Sequence, residues 1–228
     1  MNFKGLSNGV VKVGEGRGFV VNYRHEYPPF NGKRMFVDER VVITASHCLP
    51  FFPPSHPCSY SEERTYENLL GPLDVASRDV WAECLFVGPI ADIAVLGGPD
   101  SQSYDEQNDA YLAFLVNVTA FKISEPAPEG RVWLLGLDGE WFSVSMENPF
   151  SRGLWLEGTS KNQGGMSGSP IRADDGSAIG IVCVGSQTTD KEGVIAPATS
   201  GPHAALAYHL PGWFLRDSAA QNGDAQQE

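Results

Sequence analysis

Gly164-Gly165-Met166-Ser167-Gly168-Ser169-Pro170 sets a serine among glycines and closes on a proline. Two readings are open at this point. Glycine permits backbone conformations closed to other residues and lets a second molecule approach the main chain. Ser167 then reads as a nucleophile whose neighbouring N–H groups face a substrate. The stretch reads equally as a tight turn between strands, because Gly, Ser and Pro dominate turns for steric reasons. The rest of the chain has to decide.

On either side of this loop the pattern is that of a β protein. Short β-branched and aromatic runs are separated by turn residues: Gly18–Tyr23, Arg40–Thr44, Trp81–Val87, Ile93–Leu96, Arg131–Leu135, Trp141–Met146, Gly153–Glu157 and Ala178–Val184. Asp138-Gly139 and Asp175-Gly176 lie between such runs and signal hairpins. Many short strands over this length predict barrels or a sandwich rather than βαβ units. Ser101–Asn108 is polar and turn-rich, a short helix is expected at Asp109–Val116, and Pro202–Ala219 reads as helical, interrupted at Pro211-Gly212. No internal repeat is visible in the residues.

The 228 residues suffice for one large domain or two small ones. A 42% hydrophobic fraction supports a packed core, and no apolar run is long enough to cross a bilayer. The formal net charge of -12 argues against nucleic acid and anionic membranes, which need a basic footprint. The N-terminal stretch lacks the apolar block of a secretory signal. Cys48, Cys58, Cys84 and Cys183 show no paired spacing and read as mostly free thiols, so a reducing, cytoplasmic setting is expected.

A serine hydroxyl is a poor nucleophile until a base removes its proton, and the base works best when a third group fixes its tautomer. His47 follows an apolar strand in Ile43-Thr44-Ala45-Ser46-His47-Cys48. Asp92 opens an apolar run in Ala91-Asp92-Ile93-Ala94-Val95-Leu96, an unusual place for a charge that is costly to bury alone. Taken singly, each is an ordinary turn or strand-start residue. In the order His…Asp…Ser, the three blocks together resemble the signature segments of the chymotrypsin-like (trypsin-like) serine proteases, with a pattern nearer to bacterial-type trypsin-like peptidases and the glutamyl endopeptidases than to digestive members. Gly16-Arg17-Gly18-Phe19-Val20-Val21 resembles a first-barrel strand of that family. Gly180–Ser186 resembles the strand that binds substrate backbone, Lys191–Ile195 the far wall of the specificity pocket, and Gly212-Trp213-Phe214-Leu215 the start of a C-terminal helix.

The resemblance implies an all-β fold of two six-stranded antiparallel Greek-key barrels with a C-terminal helix. It implies domains at 1–108 and 109–201, with 202–228 as helix and tail. The implied activity is a serine endopeptidase with Ser167 as nucleophile, His47 as general base and Asp92 as orienting carboxylate. Gly165, Met166 and Ser167 would supply the oxyanion hole. Lys161, Cys183, Val184, Gly185 and Gly193 would contact substrate, with Lys161 either at the base of the primary pocket or turned to solvent. A protein or peptide substrate is expected, with no cofactor and no metal; an activating protein partner stays open.

The chain also departs from the family. Met166 stands where processed members carry an aspartate that pairs with a freed N-terminus, so activity without N-terminal cleavage is expected. Val182 stands where glutamyl endopeptidases carry a histidine, so glutamate specificity is not implied. Cys183 stands where many members have a serine that hydrogen-bonds the aspartate, and a thiol donates weakly. A Cys48–Cys58 bridge would need an oxidising compartment. The same loop holds two His-Cys pairs, His47-Cys48 and His56…Cys58, but at no usual zinc spacing, and metal on His47 would abolish base catalysis. His25, His203 and His209 read as structural. Competing functions are a latent protease, a silent binding module, and an α/β-hydrolase esterase; the last requires a glycine where Ser169 stands and a different chain order.

Overall fold

The computed structural model describes residues 7–31, 33–54, 60–149, 151–157, 164–183 and 200–215. Strands β1 (Val10–Val13), β2 (Gly16–Phe30), β3 (Lys33–Thr44), β4 (Thr65–Gly71), β5 (Val80–Gly88) and β6 (Ile93–Gly97) close an antiparallel barrel in the order β1-β2-β3-β6-β5-β4. Strands β7 (Glu129–Leu135), β8 (Trp141–Glu147), β9 (Gly153–Glu157), β10 (Pro170–Arg172), β11 (Ala178–Ile181) and β12 (Ser200–Ala205) close a second, in the order β10-β11-β12-β9-β8-β7. Read from its own first strand, the second barrel repeats the pairing scheme of the first. The repetition is one of topology, which leaves no trace in the residues because each barrel needs only apolar side chains at inward positions.

Those inward positions follow the period of a strand. In β8, Val144 and Met146 are buried while Ser143, Ser145 and Glu147 face out; in β9, Leu154 and Leu156 are buried while Trp155 and Glu157 face out. β6 is buried along its whole length, which is why Ile93–Gly97 is continuously apolar. Both anticipated hairpins form. Gly139 (φ 79°) turns β7 into β8, and Gly176 (φ 96°) turns β10 into β11.

Between the barrels, α1 (Asp105–Leu115) begins four residues before the expected helix, so Asp105–Asn108 are its first turn rather than loop. The chain then runs as a strap across both barrels. Phe121 N–H donates to Val20 O at 2.7 Å, and Ala178 N–H donates to Lys122 O at 2.7 Å. The Phe121 ring packs edge-on against Phe19, with centroids 5.7 Å apart.

The expectation of helix from Pro202 is corrected: Pro202–Ala205 are the end of β12, and helix α2 is a single turn, Leu206–His209. Ala204 and Ala205 pair with β11, and this ladder closes the barrel where an isolated helix would leave an open edge. Beyond Pro211, residues 212–215 form a further helical turn. It docks back on the first barrel, Phe214 stacking on Tyr23 at 5.4 Å.

Glu83 on β5 is fully buried, which a carboxylate tolerates only when its oxygens are satisfied. Its oxygens accept from Arg64 Nε (2.6 Å), Ser61 Oγ (2.5 Å) and Asp100 N–H (2.7 Å). This fixes the 3-10 turn Ser61–Arg64 that leads into β4. Glu83→Ala is expected to lower unfolding free energy by about 2 kcal/mol in urea titration, below the cost for a fully enclosed pair because Arg64 keeps some solvent. A loss under about 0.5 kcal/mol, a tenth or less of a typical domain's stability, would contradict that role.

Candidate active site

β3 and β6 are paired, with Thr44 opposite Ala94. The end of one strand therefore lies beside the beginning of the other. The chain leaves β3 through the 3-10 turn Ser46–Cys48 and enters β6 through Asp92, and this adjacency is what brings His47 and Asp92 together. Asp92 sits at φ 56°, a left-handed conformation that Asp tolerates better than most residues. Its main-chain oxygen accepts from Ser46 N–H (3.2 Å). Its Oδ1 accepts from Ser46 Oγ (2.8 Å) and His47 N–H (3.0 Å), and its Oδ2 lies 2.7 Å from His47 Nδ1.

With Oδ2 accepting, the imidazole carries its proton on Nδ1 and presents Nε2 as the basic nitrogen. The support for Asp92 that the Cys183 substitution had put in question comes from Ser46, which sequence reading passed over. Ser46 sits directly before His47, at the end of a strand whose partner starts at Asp92, and that pairing was the signal that could have found it. The Cys183 thiol also faces Asp92: burial pushes it up to about 12, and the charge and hydrogen bonding of Asp92 act in the same direction. Cys183 N–H donates to the buried His203 at Nδ1 (3.0 Å), giving His203 the structural place expected of it.

Ser167 lies in the loop preceding β10. Gly168 N–H donates to Val182 O (2.8 Å), Val182 N–H to Ser169 O (2.9 Å) and Ser169 N–H to Met166 O (3.0 Å), pinning the loop to the end of β11. Met166 is fully buried, which turns its side chain inward and away from the cleft. Gly165 has φ 92° and Gly168 φ 84°. A Cβ on Gly168 would stand 1.8 Å from Arg17 O, so no other residue fits there. Among the described residues, the N–H groups of Gly165 and Ser167 donate to no backbone acceptor.

A cleft of about 500 Å³ contains His47, Ser167, Gly164 and Gly165 together. Ser167 is nearly buried, while the His47 side chain is 40% exposed. The structure thus places His47, Asp92, Gly165 and Ser167 at one site, with Met166 beneath it. Lys161, Val184, Gly185 and Gly193 lie outside the described residues, as do His56 and Cys58. Cys48, Cys84 and Cys183 are free thiols.

Sequence reading missed the side chain of Arg17. The guanidinium is buried, Nη1 donating to Leu135 O (2.8 Å) and Nη2 to Gly136 O (3.1 Å) at the end of β7. The Arg17 main chain donates to Ser167 O (2.7 Å) and accepts from Thr44 Oγ1 (2.7 Å). Burial lowers the guanidinium from its ordinary value, and Asp138 opposes that shift.

Two six-stranded antiparallel barrels, with the histidine and aspartate on the first and the serine on the second, settle the architecture. This is the chymotrypsin-like fold. No protein-family model matches the chain, and no curated protein sequence does. Among solved structures, the chain is similar to the MamO protease domain from Magnetospirillum magneticum in its apo form. The TM-score is 0.50 and the identity 14%, over 92% of this chain and 100% of that one. A glutamic acid-specific serine protease, described as using a histidine triad in substrate binding, aligns at TM-score 0.46 and 14% identity over 88% of this chain and 93% of that one. The Rv3671c protease in its inactive form aligns at TM-score 0.46 and 15% identity over 97% and 92%.

Two outcomes follow from this geometry. Burial pushes Cys48 and Cys84 up to about 11 and Cys183 to about 12, so all three thiols stay protonated well above neutral pH. Iodoacetamide at pH 8 should leave these three unmodified in the folded protein, read by peptide mass mapping, and should alkylate them in urea; rapid alkylation at any of the three in folded protein would contradict this. Gly168→Ala should fail to accumulate as folded protein, because the clash is with backbone; a variant with a wild-type melting curve would contradict the contact.

Proposed function

We propose that this chain is a serine endopeptidase acting through an acyl-enzyme at Ser167. The observation that carries the reading is the 2.7 Å contact between His47 Nδ1 and the Asp92 carboxylate, with His47 and Ser167 lining one cleft. His47 Nε2 takes the proton from Ser167 Oγ as the oxygen attacks the substrate carbonyl. The tetrahedral oxyanion lies against the N–H groups of Gly165 and Ser167, donors typically worth about 3 kcal/mol each in the transition state. The intermediate then collapses: the C–N bond breaks and His47 gives the proton to the departing amine. Water, deprotonated by the same imidazole, releases the acyl group and restores Ser167.

Asp92 keeps the imidazole in the tautomer that this sequence requires and stabilises the imidazolium it passes through. No step calls for a metal or cofactor. The substrate is a protein or peptide, held in the cleft lined by His47 and Ser167. A latent form, tightened by substrate or by a protein partner, is favoured by one observation: among the described residues no hydrogen bond joins His47 to Ser167. Catalytic hydrogen bonds of this kind are often loose before substrate binds.

The test is exposure of the purified protein to a diverse peptide library with mass-spectrometric readout, alongside a fluorophosphonate probe. Cleavage and labelling of Ser167 are expected, both lost in Ser167→Ala. Labelling that persists in Ser167→Ala would overturn the assignment, and wild-type protein that fails to label would point to the latent form or a silent binding module. Asp92→Asn should reduce kcat at pH 7 by about 10⁴, the scale typical of a carboxylate-to-amide change in a Ser-His-Asp site. Near-normal turnover in that variant would remove Asp92 from the mechanism.

A further inference from the structure

The cleft that holds His47 and Ser167 is also lined by residues of the first barrel. Its lining there combines apolar Leu49, Pro50 and Leu69 with charged Glu15, Glu67 and Arg78. Arg78 is already committed. It pairs with Glu15 at 2.8 Å and also donates to Gly14 O, so these two charges cancel within the wall. Glu67 remains, and it has no ion pair or hydrogen bond among the described residues.

The backbone gives Glu67 its place. Along the β4–β5 ladder Tyr66 pairs with Ala82 and Leu70 with Val80, so four steps on β4 face two on β5. The extra residues form a bulge that contains Glu67, with Asn68 in the left-handed region at φ 52°. Gly14 N–H donates to Leu69 O at 3.0 Å, which ties the bulge to the neighbouring β1–β2 turn. A bulge re-aims the side chains it carries, and such irregularities concentrate beside active sites. This one turns a carboxylate toward the cleft from a strand that otherwise runs past it.

We propose that this part of the cleft is a subsite for a lysine or arginine side chain on the leaving-group side of the scissile bond. The inference rests on the endopeptidase reading, which sets the direction. His47 protonates the departing amine, so the segment after the scissile bond lies on the His47 side, where this cleft runs. A long basic side chain matches the lining in both of its parts: its methylene stem covers Leu49, Pro50 and Leu69 while its charged head reaches Glu67. The chain's net charge of -12 favours approach of a cationic segment over an acidic one.

The experiment uses internally quenched peptides built on one sequence the protein cleaves, varying only the first and second residues after the scissile bond among Lys, Arg, norleucine and Glu. At one of the two positions Lys and Arg should exceed norleucine in kcat/KM by about three- to fivefold at low salt, with Glu lowest, and the advantage should shrink at 0.5 M salt. Glu67→Gln should bring Lys and norleucine level, and Glu67→Lys should invert the order of Lys and Glu. Cleavage with no preference at either position would overturn the subsite and leave the endopeptidase reading intact. If no peptide is cleaved, that reading is the one in question, and binding decides the subsite. Fluorescence anisotropy with Ser167→Ala should show the labelled Lys peptide binding more tightly than its Glu twin, an advantage lost in Glu67→Gln. Equal binding of the two would overturn it.

Discussion

Arg17 is the point at which the halves of this molecule meet. Its backbone lies in β2 of the first barrel, its guanidinium is bonded to two carbonyls at the end of β7 in the second, and its N–H holds the carbonyl of Ser167. A guanidinium is costly to bury unless its donors are satisfied, and hydrogen bonds from a charged donor are worth about 1.5–3 kcal/mol each. The residue is therefore stable only when both barrels are present and in register. The neighbouring residues obey the same constraint. A Cβ on Gly16 would stand 2.5 Å from Cys48 Sγ, and one on Gly18 2.7 Å from side-chain atoms of Val13 and Val42. Gly-Arg-Gly is thus a requirement of three close approaches at one place.

The second constraint is electrostatic. Asp92 is only partly exposed, yet it receives four hydrogen-bonding contacts from Ser46 and His47, through its main chain and both carboxylate oxygens. Two of these hold the carboxylate through Oδ1 and a third holds the main chain, which leaves Oδ2 directed at His47 Nδ1. The arrangement follows from the pairing of β3 with β6, so the geometry of the first barrel sets the proposed base. The second barrel contributes Ser167 and the open N–H groups. Their meeting depends on the barrel-to-barrel contacts: Arg17, the strap through Phe121 and Lys122, and the docking of Phe214 on Tyr23.

Much of this was legible in the residues. Continuous apolar runs and Asp-Gly turns marked eight of the strands and both of the tight hairpins between β7 and β8 and between β10 and β11, and the three motif blocks placed the site. Four strands escaped: β1, which is only Val10–Val13, and three whose reason is tertiary. β10 is only Pro170–Arg172, too short to show a period. β12 includes Gly201 and Pro202, poor strand formers that are held by pairing with β9 and β11. β4 carries Glu67 and Asn68 in its bulge, which breaks the alternation that would have announced a strand. Arg17, Ser46 and Glu83 gave no sign of their importance because polar residues in or beside apolar strands reveal their partners only once those partners, up to 119 positions away, are folded beside them.

The most direct measurement of this account is the second-order rate of Ser167 phosphonylation in Arg17→Lys and Arg17→Met, in protein whose circular dichroism matches wild type. A coupling of the barrels through Arg17 predicts a rate reduced by at least about tenfold in Arg17→Met, a loss of some 1.4 kcal/mol, with Arg17→Lys retaining part of it because its single ammonium reaches one carbonyl and not both. Folded Arg17→Met that reacts at the wild-type rate would show that Ser167 and His47 are aligned without the guanidinium, and the account would fail at its centre.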